Sequence, residues 1–239
     1  MRALVTGCAG FIGSHLCEAL IAAGHDVVGV DCFTDYYARS HKEANLAQLR
    51  DEARFSLREV DLAAGELSNL LNGVDVVYHQ AAQPGVRASW GSYFDTYVRH
   101  NIVATQRLLE AVKGQPLRRF VYASSSSVYG DAEAFPTSEM VIPKPVSPYG
   151  VTKLAAEQLV YLYGRNYGVP TVSLRYFTVY GPRQRPDMAF RRFIEWALAD
   201  QPIHVYGDGE QTRDFTFVGD VVAARLTRPL PGTIQARKK

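Results

Sequence analysis

The opening residues constrain this chain more than any other stretch. Arg2-Ala3-Leu4-Val5-Thr6 is a short apolar run of strand type. It leads into Gly7-Cys8-Ala9-Gly10-Phe11-Ile12-Gly13 and an apolar-rich helical stretch from Ser14 to Ala23. Strand, glycine loop and helix in that order are the context a dinucleotide fingerprint requires. Gly7 permits the tight turn, Gly10 lets the backbone approach a pyrophosphate, and Gly13 allows close packing of helix on strand. The helix N-terminus, around Phe11 and Ile12, supplies free N–H groups and a partial positive charge for phosphates.

A second strand, Asp26 to Val30, ends at Asp31. A carboxylate there accepts hydrogen bonds from ribose hydroxyls and repels a 2′-phosphate, which favours NAD over NADP. Cys32 and Phe33 carry no positive charge to reverse that choice.

Strand and helix patterns go on alternating, as in a doubly wound parallel α/β sheet of the Rossmann type. Asp35 to Arg50 reads as a loop and a polar helix, and Phe55 to Val60 as a strand ending at Asp61-Leu62. Val74 to His79 is a strand followed by Gln80-Ala81-Ala82-Gln83, where the small Ala81 and Ala82 let the chain pass close to a cofactor. One long helix is expected from Tyr93 to Lys113, then strands at Arg119 to Ala123 and Thr171 to Tyr176. A chain of 239 residues can bury a substantial core.

A net charge of +2 gives no basic field for nucleic acid or membrane surfaces. The arginines near Arg183, Arg185, Arg191, Arg192 and Arg213 instead suit a small anionic substrate. No apolar stretch is long enough to span a bilayer, and the first element is a strand rather than a signal peptide. Cys8, Cys17 and Cys32 are odd in number and lack metal-type spacing, so no metal is expected and a reduced cytoplasm is the natural setting.

The chemistry sits in Ser147-Pro148-Tyr149-Gly150-Val151-Thr152-Lys153. A phenol is a poor base at neutral pH, with an unperturbed pKa of about 10. An ammonium one helical turn away favours the phenolate. Ser147 can cap the helix and Pro148 suits its first turn, so Tyr149 lies where the helix dipole also favours an anion. Upstream, Ser124-Ser125-Ser126-Ser127-Val128-Tyr129-Gly130 follows a strand, and a hydroxyl there can bond a substrate alcohol and pass its proton to the phenolate.

Glycines spaced G-x-x-G-x-x-G together with Y-x-x-x-K resemble the extended short-chain dehydrogenase/reductases, the NAD-dependent epimerase/dehydratase family, from Met1 to about Ala224. The resemblance implies a nucleotide-sugar enzyme with bound NAD. It identifies Ser125, Tyr149 and Lys153 as catalytic, with Ser126 and Ser127 beside the substrate. It places Asp61 and Leu62 beside the adenine, adds Ala123 and Tyr176 to the cofactor contacts, and makes Asn101 a support of the active site. Val86 and Arg87 look like a substrate loop, Arg213 like a diphosphate ligand, and Val205-Tyr206 like the segment flanking uracil, with Phe190 and Arg192 lining the same pocket.

Dehydratases of this group carry Thr-Asp-Glu where this chain has Ser125-Ser126-Ser127, and decarboxylases of UDP-glucuronate usually place Glu at the position of Ser127. Without a carboxylate beside C5, a 4-keto sugar is left to turn over and accept hydride on its other face, which is 4-epimerisation. Asp31 to Tyr37, Gln83 to Arg87 and Tyr176 to Pro186 resemble segments of UDP-glucuronate 4-epimerases. A Thr178 hydroxyl and the Arg185 guanidinium suit a C6 carboxylate, which arginine grips with two parallel bonds. The alternatives are a UDP-glucose 4-epimerase, a UDP-glucuronate decarboxylase, or a non-catalytic protein that binds NAD and nucleotide sugar.

The resemblance also implies a homodimer formed by the Tyr93–Lys113 and Y-x-x-x-K helices, to which Leu154, Leu159, Val160 and Leu162 offer apolar surface unless they pack in the core. The expected organisation is a dinucleotide-binding domain over 1–177 and a partial nucleotide-sugar-binding lobe over 178–239, with 214–235 returning to the first domain. Relatives in the group run on well past Ala224, so the resemblance implies a truncated substrate lobe.

Overall fold

Alternate residues of the central strands face two different cores. Strand β1 (Arg2–Thr6) sends Leu4 to one and Ala3 and Val5 to the other. The same division separates Val77 from Val76 and Tyr78 in β4 (Val76–His79), and Phe120 and Tyr122 from Val121 in β5 (Arg119–Ser125). Apolar side chains on both faces are the mark of a parallel sheet covered by helices on each side. Each fully buried Leu or Phe contributes ~1.5–3 kcal/mol to this arrangement.

With β2 (Asp26–Asp31), β3 (Phe55–Glu59) and β6 (Thr171–Tyr176), these strands form a six-stranded sheet of order β3-β2-β1-β4-β5-β6, parallel throughout. This computed structural model describes residues 1–226 other than 132, 133, 206 and 211. Tyr206, the part of the 214–235 return beyond 226, and the basic end at Arg237 to Lys239 therefore lie outside the described residues.

Helix α1 (Phe11–Ala22) covers one face through Leu16, Cys17 and Leu20. On the other lie α4 (Ala104–Val112), through Leu108, Leu109 and Val112, and α5 (Pro148–Tyr167), through Ala156, Val160 and Tyr163. Val160 is thus a core residue, and Leu159 packs against the same cluster. The exposed apolar side chains of α5 are Val151, Tyr161, Leu162 and Tyr167.

The single helix expected from Tyr93 to Lys113 is three segments end to end: α3 (Phe94–Tyr97), a π-helical stretch over Val98–Val103, and α4. The wider π turn has a local cause, because Asn101 is buried and fully committed. Its side-chain oxygen accepts from Gln83 N (2.7 Å), and its nitrogen donates to Gln83 O (3.1 Å) and Thr152 Oγ1 (3.0 Å). A side chain pulled inward to three partners displaces the helical hydrogen-bond ladder around it.

After β6 the chain forms β7 (Thr178–Tyr180), α6 (Ala189–Leu198), β8 (Phe215–Phe217) and α7 (Val218–Leu226). β7 and β8 pair in parallel as a separate ribbon. Val222 of α7 joins the core that α1 covers.

Candidate active site

Strand order reverses between β1 and β4, and in open parallel sheets ligands bind beyond the carboxyl ends of the strands at that point. The first glycine loop turns there with Gly7 at φ +67°, and a Cβ on Gly7 would stand 2.8 Å from Ala81 N of the loop after β4. A Cβ on Gly13 would fall 2.1 Å from Gly7 O, so only glycine lets α1 start this close to the turn.

A cleft with about 1190 Å³ of empty volume opens at the reversal. Its walls hold every residue read from the sequence as a cofactor contact: Gly7, Gly10, Phe11, Ile12, Gly13, Asp31, Asp61, Leu62, Ala81, Ala82, Ala123, Tyr149, Lys153 and Tyr176. These residues fit a dinucleotide, with a glycine cradle at a helix start for the pyrophosphate and a carboxylate at the end of β2 for a ribose.

Asp31 is fixed by its own loop, accepting from Ala9 N (3.2 Å) and Phe33 N (2.9 Å). A positive charge does stand beside Asp31: Lys42 Nζ of α2 (Arg39–Asn45) is 3.8 Å away, and both side chains are nearly buried. That ammonium also donates to Thr34 O (2.9 Å) and Thr34 Oγ1 (3.2 Å). Only the fold brings α2 back onto the loop after β2.

At the other end of the cleft, Ser147 caps α5 by accepting from Gly150 N (3.1 Å), with Pro148 in the first turn as expected. Tyr149 and Lys153 both face the cleft, and the Tyr149 ring meets Tyr97 edge-on at 6.3 Å. Burial pushes the Tyr149 phenol up, while the Ser125 hydrogen bond and the Arg185 charge pull it back. Arg185 is thus a further cation that favours the phenolate. Lys153 is turned over the Tyr122 ring, Nζ 4.5 Å from the centroid, and burial pulls it down to about 7 against an upward pull from Glu157.

Ser125 ends β5 and caps the short turn over Ser126–Val128, its Oγ accepting from Ser127 N (3.1 Å). Ser126 and Ser127 follow in that turn, half-buried, and Ser124 lines the cleft. Among the remaining substrate residues read from the sequence, the structure brings Arg185 to the cleft wall. Its guanidinium meets Asp187 through two bonds, Nε to Oδ1 at 3.0 Å and Nη2 to Oδ2 at 3.1 Å, and Tyr36 donates to the same carboxylate at 3.1 Å.

Val86 and Arg87 lie at the turn after Gly85, outside the lining. Thr178 starts β7, its N–H donating to Asp214 O (3.2 Å). Phe190 packs on Phe215 at 4.5 Å, Arg192 stacks over Trp196 at 4.5 Å, and Val205 and Arg213 are exposed. Arg183 pairs with Glu18 (2.7 Å) and Arg191 with Glu195 (2.7 Å), and both arginines line a second pocket with Phe190.

Sequence reading missed the wall residues Lys42 and His100, and named Cys32, Tyr36, Tyr37 and Gln83 only within segments, without a role for each. Cys32, Asp61 and His100 also place one potential metal ligand each within 4.8 Å of the others, on three separate elements that no sequence spacing links. Asp61 is already committed there, to Arg99 Nη2 (2.6 Å) and Ala63 N (2.8 Å).

Residues 3–227 match the profile of the NAD dependent epimerase/dehydratase family. The chain belongs to that family. It is 52% identical to an uncharacterized UDP-glucose epimerase, YtcB, of Bacillus subtilis, over 93% of this chain and 70% of the relative. Against the UDP-glucuronate 4-epimerase of Thermodesulfobacterium geofontis it is 38% identical, over 95% and 71% of the two chains. In three dimensions it is similar to the UDP-glucuronic acid 4-epimerase of Bacillus cereus, solved with UDP-glucuronic acid and NAD. That match has a TM-score of 0.92 and 51% identity, covering 95% of this chain and 74% of the other. The six-stranded parallel sheet and the glycine-lined cleft are what this family requires of a chain that holds NAD.

Proposed function

We propose that this chain is an NAD-dependent 4-epimerase of a UDP-sugar, converting UDP-glucuronate to UDP-galacturonate through a 4-keto sugar. The observation that carries this reading is the convergence of Tyr149 and Lys153 with Arg185 on the wall of the cleft that the glycine loop opens. NAD, when bound, supplies the hydride acceptor at C4 and the donor that returns it. Tyr149 takes the C4 hydroxyl proton, with Ser125 bonding the same oxygen, and gives it back after the ketone has turned over. Lys153 holds the ribose beside the reacting face. The Arg185 guanidinium grips the C6 carboxylate and keeps it out of alignment with the ring, which discourages loss of CO2. Ser126 and Ser127 offer no acid or base to C5, which leaves epimerisation over elimination.

A second reading, UDP-glucose as substrate, is favoured by one contact. Asp187 already offsets the Arg185 charge, so a neutral hydroxymethyl group meets no bare cation. A cytoplasmic homodimer accompanies the proposal, supported by three free cysteines and by the exposed apolar residues of α5. Among the described residues, no helix is long and apolar enough to cross a membrane.

The test is incubation with UDP-glucuronate followed by proton NMR of the sugar. UDP-galacturonate supports the proposal, a pentose product replaces it with decarboxylation, and no turnover of UDP-glucuronate alongside turnover of UDP-glucose moves it to the second reading.

A further inference from the structure

Helix α5 carries a third polar residue in line with Tyr149 and Lys153, and it is buried. Glu157 lies one turn beyond Lys153 and two beyond Tyr149, and it is 8% exposed where Lys153 is 2% exposed. Two neighbouring strands clamp its carboxylate. From β5, Ser124 Oγ donates to Oε2, and Ser124 itself lines the cleft. From β6, Arg175 donates Nη2 to Oε1 at 2.6 Å and Nε to the two oxygens at 3.1 and 3.2 Å. Arg175 is held in turn over the Tyr129 ring at 4.7 Å and donates to Glu139 O at 3.4 Å.

We infer that Glu157 is a positioning residue of the Tyr149–Lys153 pair: its clamped carboxylate, buried one helical turn along the same face, holds a negative charge against the buried Lys153 ammonium. The inference rests on the catalytic reading proposed above. Taking an ammonium out of water costs several kcal/mol after relaxation unless an anion or dipoles compensate. The groups facing Lys153 from each element are few. Tyr122 of β5 offers the face of its ring, which attracts a cation. His79 of β4 is neutral, since burial pulls it down to about 3. Tyr149 on α5 is pushed up by burial and brings no cation of its own. Glu157 is buried one turn along the same helix, where its charge raises the Lys153 value. Arg175 balances Glu157 and so sets how much of that field reaches the ammonium.

A purely structural Glu157 would tie α5 to β5 and β6 and leave Lys153 indifferent to its charge. The two roles separate by charge alone. In Glu157→Gln the shape stays and the charge goes, and in Arg175→Gln the Glu157 field is unmasked. The experiment is a pH titration of the Lys153 side chain by ¹⁵N and ¹³C NMR of lysine-labelled, NAD-loaded protein, assigned with Lys153→Met, beside the pH dependence of turnover. The midpoint in Glu157→Gln is expected about one pH unit below the parent, the size of shift a neighbouring charge produces, with Glu157→Asp restoring most of it. Arg175→Gln is expected to move it upward, which keeps the test available if Glu157→Gln does not fold. An unmoved midpoint in a folded Glu157→Gln protein, or a downward move in Arg175→Gln, overturns the inference. If the midpoints move as expected but the parent epimerises no UDP-sugar, the coupling stands and the proposed activity falls.

Discussion

Lys42 and Asp31 face each other at 3.8 Å at the end of β2, where the adenosine ribose of a dinucleotide sits. The carboxylate still discriminates against a 2′-phosphate, but the repulsion it provides stands next to an ammonium that would welcome one. In Asp31→Asn, which keeps an acceptor for Phe33 N, the ratio of NADP to NAD affinity is expected to rise about 10- to 100-fold, as loss of charge-assisted hydrogen bonds implies. Titration calorimetry with both cofactors checks this. An unchanged ratio means that Lys42 is held by Thr34 and does not reach the ribose.

Tyr149→Phe removes one oxygen from the cleft and leaves its walls intact. Turnover is expected to fall by at least about 10²–10⁴-fold, the range of general acid–base contributions, with NAD still retained through purification. Residual turnover within tenfold of the parent would remove Tyr149 from the mechanism.

Burial makes Lys153 costly to the fold. Its folded value of about 7 lies below the ordinary lysine value of about 10.4, so between those limits the unfolded chain binds one more proton than the native one. Stability contributed by this site therefore rises as pH goes from about 7 towards 10 and is flat below. Lys153→Met is expected to stabilise the protein by ~1–4 kcal/mol at pH 6.5 and to flatten that rise, while abolishing turnover. Urea unfolding at pH 6.5 and 9 tests both parts, and equal destabilisation at the two pH values would contradict them.

His79 gives the opposite end of the pH curve. Its ring bonds Thr6 Oγ1 (2.8 Å) and Thr105 Oγ1 (2.9 Å), and Thr6 in turn accepts from Gln80 N and Ala81 N at 3.1 Å on the cleft wall. With a folded value of about 3 against about 6.5 unfolded, stability from this site is complete above 6.5 and is lost as pH falls towards 3. The slope is ~1.4 kcal/mol per pH unit for one proton. His79→Gln is expected to unfold with less dependence on pH between 4 and 6.5 than the parent, measured by urea titration. An identical slope would place the acid lability elsewhere.

These relationships divide into those a linear reading reaches and those it does not. The strands were legible because parallel sheets buried on both faces leave continuous apolar runs, and the cap at Ser147 because capping chemistry is local. The residues that line the cofactor cleft were legible because loops at the ends of adjacent strands converge at the strand-order reversal. The π turn at Asn101 was not, since α and π periods look alike over so few residues and the cause lies in Gln83 and Thr152 on other elements. Lys42 beside Asp31 and Glu157 under Arg175 were equally hidden, because each pair closes only when the chain folds back. Arg185 acting on the phenol was hidden for the same reason, since no sequence spacing links it to Tyr149.

In the proposed reaction Arg185 carries the choice of sugar. Its guanidinium spans from the cleft to Asp187, and Asp187 is tied by Tyr36 to the loop after β2, so the arginine is braced from two sides. If it grips a C6 carboxylate, Arg185→Met should cost a UDP-glucuronate substrate about 10²-fold in kcat/KM, since a charge-assisted pair is lost, and cost UDP-glucose much less. Asp187→Asn should act in the reverse sense, freeing the guanidinium and raising the ratio of carboxylate to hydroxymethyl sugar turned over. Parallel NMR assays of the two substrates with each variant give those ratios directly. Equal losses on both sugars in Arg185→Met would show that the arginine braces the mouth of the cleft without reading C6.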